Sequence, residues 1–166
     1  MDDLHFKNMR FDPDVTEFHA IALQMAARYG HEAELSLDRR MATLLRLRVA
    51  QLNPCSYCLI LHTRLAAEAG IDSDVVAHLP SWRHSTLFTA GEGLALSYCE
   101  ALTRYDHVNF DSIHRGLSLF FSQVEIAEIA AVVINMNVWT RLKLAQGAMP
   151  FAHESATPAG PSEVDA

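Results

Sequence analysis

Two stretches, Thr89-Ala90-Gly91-Glu92 and Ser122-Gln123-Val124-Glu125, carry the same signal: a hydroxyl residue followed three positions later by a glutamate. At that spacing the hydroxyl accepts a backbone N–H in the first helical turn, and the glutamate reaches back to the capping amide. Each therefore marks a helix start. The rest of the chain is punctuated in the same way. Asp12 precedes Pro13, a cap followed by the residue best suited to a first turn, and this helix runs on to Gly30. Met41, Leu44, Leu45, Val49 and Leu52 recur at helical spacing on a segment that starts near Ser36, which predicts one apolar face. Asn53-Pro54 ends that segment and begins another, which stops at Gly70. A short helix follows from Asp72 to His78, before Pro80. The first capping box opens a helix to Leu102, and Asn109 or Asp111 caps one that ends near Phe121. The second box opens a long helix through Trp139 to Gln146, closed by Gly147. No run alternates with period two between turn residues. The expected fold class is all-α, with about six to seven helices.

The 166 residues suit one domain with its own hydrophobic core. Residues 1–150 read as that domain, the first ten of them as an arm. The Pro-, Ser-, Ala- and acid-rich stretch over 151–166 reads as a disordered C-terminal tail. A net charge of -7 sets the surface against phosphate backbones and anionic lipid, so neither nucleic acid nor membrane is an expected partner. The N-terminus shows no basic segment followed by an apolar run, and no stretch is long and apolar enough to span a bilayer. The expected location is cytoplasmic, where thiols stay reduced. Three cysteines, an odd and small number, argue against a disulfide framework and for a working pair with one bystander. Cys99, inside an apolar helical run, is the bystander.

The pair lies in Asn53-Pro54-Cys55-Ser56-Tyr57-Cys58-Leu59-Ile60-Leu61-His62. Cys55, Cys58 and His62 stand at i, i+3 and i+7, within an arc of roughly 60° on one helix face. With Asn53 as the cap, both thiols fall near the helix start, where free N–H groups and the helix dipole favour a thiolate. Neutral His62 could take a proton from Cys58, or its imidazolium could stabilise the thiolate. A reactive thiolate beside a second thiol is what peroxide reduction needs: the first sulfur becomes a sulfenic acid and the second condenses with it to a disulfide. Two other readings of the trio stand beside this one. The thiols could be inert core residues. They could also belong to a zinc site completed by a remote His107 or His114, although no second cysteine pair exists. No flavin, haem or nucleotide motif is visible, so no cofactor is expected beyond the thiols.

The stretch from Leu47 to Gly70 resembles the core signature of the alkylhydroperoxidase AhpD-like, or carboxymuconolactone decarboxylase-like, family. Trp82-Arg83, Leu87-Phe88-Thr89 with Glu92, the stretch Leu96 to Thr103, and Asn137-Val138-Trp139-Thr140-Arg141 extend the resemblance downstream. It implies an AhpD-like helical fold with the CxxC at the N-terminus of a central helix. It also implies a homo-oligomer, trimer or hexamer, and a dithiol that reduces hydroperoxides with electrons returned by a separate thiol donor. By the resemblance, Cys58 meets the peroxide, Cys55 resolves it and His62 relays protons. The dipole argument alone favours Cys55 as the more acidic thiol; its neighbour His62 favours Cys58 as the attacking one. Two positions depart from the pattern. The family often places a glutamate twelve residues before the first cysteine, where this chain has Thr43. A hydroxyl passes a hydrogen bond but is no base near neutral pH. Either Glu92 or Glu100 then folds back to the site, or His62 works alone, and a dithiol carrier or sensor with little peroxidase turnover becomes the alternative. Tyr57 stands where the founding peroxidase type has histidine, and its hydroxyl could bond a sulfur or a peroxide oxygen. The decarboxylase branch lacks the cysteine pair, which argues against lactone decarboxylation.

Trp82 and Trp139 read as core or subunit-contact anchors, and Asn137 with Arg141 as a helix cross-link. His107 and His114 read as surface residues. Arg39, Arg40, Arg46 and Arg48 read as a solvated or ion-paired stripe, one of which could hold a thiolate or an anionic substrate. The apolar run from Ile126 to Val133 exceeds what one helix face needs, which agrees with burial in a core or an oligomer contact.

Overall fold

A computed structural model describes residues 4–152. Seven α-helices occupy most of this span: α1 (Phe18–Tyr29), α2 (Arg39–Leu52), α3 (Ser56–Glu68), α4 (Ser73–His78), α5 (Ala90–Arg104), α6 (Phe110–Leu117) and α7 (Gln123–Gln146). Short 3-10 turns lie at Pro13–Val15 and Leu79–His84. Both capping boxes form as the spacing predicts, with Thr89 and Ser122 each accepting the third amide of its helix and Glu92 and Glu125 closing back. Gly147 ends α7 with φ 69°, a left-handed conformation that costs glycine little. The first helix starts later than Pro13 suggests. Asp12 caps only the 3-10 turn, and α1 begins at Phe18.

The core is built around α2, which packs against α3, α5 and α7. All ten residues from Met41 to Ala50 are buried, so α2 has no solvated face. Leu44, Leu45, Leu47 and Val49 are sealed on every side, each burial contributing about 1.5–3 kcal/mol. The expected single apolar face is therefore corrected, and the expected solvated or ion-paired arginine stripe holds only in part. Arg40 does ion-pair, with Glu92 at 2.8 Å, but Arg46 and Arg48 run through the interior. Arg48 is tolerated because Glu100 on α5 accepts from its Nε and Nη2 at 2.9 and 2.7 Å. Trp82 Nε1 and Arg83 Nη1 donate to the same carboxylate. Burial pushes the Glu100 pKa up, but the hydrogen bonds from Trp82, Arg83 and Arg48 outweigh it and hold the carboxyl below its ordinary range.

A feature absent from the expected all-helical pattern is a small antiparallel ribbon. β1 (Leu4–Asn8) pairs with β2 (Ala148–Ala152), with Leu4 opposite Ala152 and Asn8 opposite Ala148. The Met9 and Arg10 amides carry the pairing on to the Gly147 and Gln146 carbonyls. Much of the expected N-terminal arm is thus strand, as are Phe151 and Ala152 of the expected tail; residues 153–166 lie outside the described residues. No described helix is long and apolar enough to cross a membrane.

Candidate active site

Helix α3 begins where the chain turns off the end of α2. Asn53 does not cap α3; it is the C-cap of α2. Its side-chain amide donates instead to Asn137 Oδ1 at 3.0 Å and Thr140 Oγ1 at 2.9 Å on α7. Asn137 in turn donates to Thr103 on α5, and Arg141 bonds Asn137, so the expected cross-link is present. With Asn53 engaged elsewhere and Pro54 lacking an N–H, the capping place falls to Cys55 itself. Its backbone is extended (φ -87°, ψ 106°), and its Sγ accepts the Cys58 amide at 3.4 Å. Cys55 therefore sits at the point where the free amides of α3 converge.

The Cys55 and Cys58 sulfurs lie 2.7 Å apart, in hydrogen-bond contact, and both residues are buried. Once one proton is lost, the remaining one can bridge the two sulfurs. The hydrogen bond from Cys58 pulls the Cys55 pKa down to about 7 against the opposing effect of burial, helped by the Cys58 amide and the Lys143 charge. Cys58, as the donor and the more deeply buried of the two, moves far up. Cys55 is thus favoured as the more acidic thiol, chiefly through the hydrogen bond from Cys58 rather than through the helix dipole. Cys99, fully buried and pushed up to about 12 by desolvation, is inert as expected.

His62 lies one turn beyond Cys58 on the same face, 4 % exposed. Desolvation first, then the charges of Arg46 and His31, pull its pKa down to about 3. Of its two possible roles, burial therefore favours the neutral ring over the imidazolium. Tyr57 is half-buried, with Phe6 of β1 edge-on at 4.8 Å and Lys143 Nζ 4.6 Å from its ring centroid. Burial and the neighbouring thiols raise the Tyr57 pKa. Lys143 also lies 5.5 Å from the Trp139 ring centroid, and desolvation lowers its own pKa. Sequence reasoning missed Lys143; its spacing of four residues from Trp139 on α7 was the available signal.

A cavity of about 200 Å³ opens against Cys58 and His62, with walls from α1, α2, α3 and α7. Tyr57 and Trp139 line it, as do Arg46 and Asn135. Thr43 does not. Its hydroxyl donates to the Arg39 carbonyl at 2.8 Å, one turn back along α2. Nor do Glu92 or Glu100 fold back to the thiols: the first closes a capping box and pairs with Arg40, the second holds Arg48 and Arg83. One turn after Thr43, the cavity meets Arg46 instead of an acid. His107 and His114 are exposed, and no metal-holding group of His, Cys, Asp or Glu occurs among the described residues.

The site thus belongs to an all-helical domain that presents two thiols and a histidine at the head of an interior helix. The chain belongs to the carboxymuconolactone decarboxylase family, whose sequence pattern matches residues 19–101, half of the chain. It is 23% identical over 113 residues to the uncharacterised Bacillus subtilis protein YdfG, covering 68% of this chain and 77% of that one. It is 29% identical over 109 residues to the uncharacterised Escherichia coli protein YnjA, covering 66% of this chain and 60% of that one. In fold it is similar to an Agrobacterium tumefaciens protein of unknown function, a candidate AhpD antioxidant defence protein, with a TM-score of 0.72. Identity there is 21%, over 82% of this chain and 90% of the other. An uncharacterised peroxidase-related protein from Silicibacter gives a TM-score of 0.70 at 22% identity, over 80% and 70% of the two chains.

Proposed function

We propose that the protein is a thiol-dependent peroxidase that reduces hydroperoxides through a Cys55/Cys58 dithiol–disulfide cycle. The observation that carries this reading is the close sulfur pair at the start of α3, with Cys58 opening onto a cavity of small-molecule size. In the proposed cycle the pair loses its first proton near neutral pH and holds the second between the sulfurs. A hydroperoxide entering the cavity meets Cys58. Its thiolate, formed as Cys55 takes the shared proton, attacks the outer peroxide oxygen and breaks the O–O bond. Cys58 becomes a sulfenic acid, and the alkoxide leaves as alcohol after taking one proton. Cys55 then attacks the Cys58 sulfur, and the hydroxyl departs as water with a second proton. The dithiol is oxidised by two electrons and the peroxide reduced by two; an external thiol donor restores the pair. Neutral His62 serves this cycle as a hydrogen-bond donor to the leaving oxygen rather than as a strong base. Assembly as a trimer or hexamer belongs to the same proposal, with the exposed Phe18, Ile21 and Leu23 on α1 as apolar surface available to it.

A second reading, a dithiol carrier or sensor, is favoured by one observation: among the described residues no carboxylate lines the cavity, and Thr43 is turned away from it. One experiment separates them. Reduced protein is given one equivalent of an alkyl hydroperoxide, and the Cys55–Cys58 disulfide is followed by peptide mapping, with Cys58→Ser as control. Fast formation abolished by the substitution is the expected result. A pair that ignores peroxide yet oxidises with a disulfide reagent would refute the peroxidase and leave the carrier.

A further inference from the structure

Four residues that line the cavity hold a buried polar atom with no hydrogen-bond partner among the described residues: Arg46 Nε, Trp139 Nε1, His62 Nδ1 and Asn135 Oδ1. Buried polar atoms are ordinarily paired, and four around one space is far above the usual incidence. Arg46, His62 and Asn135 are 3 %, 4 % and 1 % exposed. The rest of the wall is mainly apolar, with Leu23, Leu61 and Met136.

The four atoms define a complement. Arg46 Nε and Trp139 Nε1 are donors only, and Asn135 Oδ1 is an acceptor. His62 Nδ1 serves either way. The guanidinium is held in place by Nη2, which donates to the Tyr29 and Gly30 carbonyls at 3.1 and 2.7 Å. Neither partner is charged. No carboxylate lies within 4 Å of Arg46 among the described residues, although its outer side borders a groove that carries Glu32, Glu34 and Glu68. A buried cation without a counter-charge is costly, and an anion beside it recovers much of that cost. Burial lowers the Arg46 pKa only to about 10, so the side chain keeps its charge near neutral pH.

We propose that this cavity binds a small carboxylic acid that also carries a hydroxyl or hydroperoxyl group. The carboxylate meets Arg46 and Trp139, the O–H is accepted by Asn135, and a short aliphatic body lies against Leu23 and Met136. A cavity of this size exceeds the roughly 150 Å³ that holds benzene, which sets the scale of the ligand. The acid site stands without any catalytic claim. Its extension, that the hydroperoxides reduced are hydroperoxy acids, rests on the peroxidase reading.

The test uses the full chain and three probes: 2-hydroxyhexanoate, its methyl ester, and hexanoate. Binding is followed by calorimetry on the parent chain and on each variant. The hydroxy acid should bind roughly ten- to hundredfold more tightly than the ester, the range of a charge-assisted hydrogen bond, with hexanoate between them. Arg46→Met should erase the preference for acid over ester. Trp139→Phe, which keeps the ring and removes only the N–H, should weaken it and guards against misfolding of the first variant. Equal binding of acid and ester, no binding of any probe, or a preference that survives both substitutions would overturn the proposal. Turnover is read separately. Acid binding without reduction of any hydroperoxide retains the site and removes the peroxidase. Equal turnover of neutral and acidic hydroperoxides, with no acid preference in binding, does the reverse.

Discussion

Removing the Cys58 thiol should switch off Cys55 without touching Cys55 itself. The chief cause of the low Cys55 pKa is the hydrogen bond it receives from Cys58; burial works the other way, and the Cys58 amide and Lys143 make smaller contributions. At an ordinary value near 9.0 a thiol is about 1 % ionised at pH 7, and at about 7 it is about half ionised. Cys58→Ala deletes the donor and leaves burial in place, so the midpoint should climb back toward 9. The alkylation rate of Cys55 by iodoacetamide at pH 7 should fall by at least about tenfold, with roughly fiftyfold as the limit. Cys58→Ser keeps an O–H donor and should fall between. The assay is the pH profile of alkylation read by mass spectrometry at the Cys55 peptide, where buried Cys99 does not interfere. A midpoint that stays near 7 in Cys58→Ala would show that the helix start and Lys143 suffice, and the shared-proton argument would fail.

Two further outcomes follow from buried groups. His62 has a folded-state pKa of about 3, below the ordinary 6.5, so on acidification the unfolded chain takes the proton first. Its contribution is complete above pH 6.5 and is lost as pH falls toward 3; about 2.5 kcal/mol should disappear between pH 7 and pH 4.5. Urea titrations at the two pH values check this, and His62→Leu losing as much as the parent would contradict it. Glu100→Gln leaves Arg48 buried without its counter-charge and should cost about 3–5 kcal/mol in thermal or urea unfolding, whereas a loss below about 1 kcal/mol would refute the account of that cluster.

Much of the fold was legible because its helices are marked by local chemistry. Thr89, Ser122, Asp72 and Gly147 act within a few residues of where they stand, and all four do what their spacing predicts. The ribbon was not legible, since β1 and β2 are five residues each and derive their pairing from contacts across nearly the whole chain. Asn53 was misread because a good capping residue has no way to announce a stronger claim from Asn137 and Thr140, over 80 positions away. The arginines of α2 were misread for a related reason. A helix at the centre of a domain has no outside, and charge that looks like a surface stripe must then find partners within, as Arg48 does in Glu100. Of the site, the thiol pair and His62 were visible in one segment. The cavity was not, because Arg46, Asn135 and Trp139 come to it from separate helices.

The pairing of Leu4 with Ala152 brings the two ends of the described chain together at a single corner. Phe6, in the same ribbon, packs on Tyr57 between the two cysteines. Residues 4 and 152 therefore share one port of the domain, beside α3 rather than at opposite poles. A circular permutant of residues 4–152 that joins Leu4 to Ala152 and opens elsewhere would need only a short linker there.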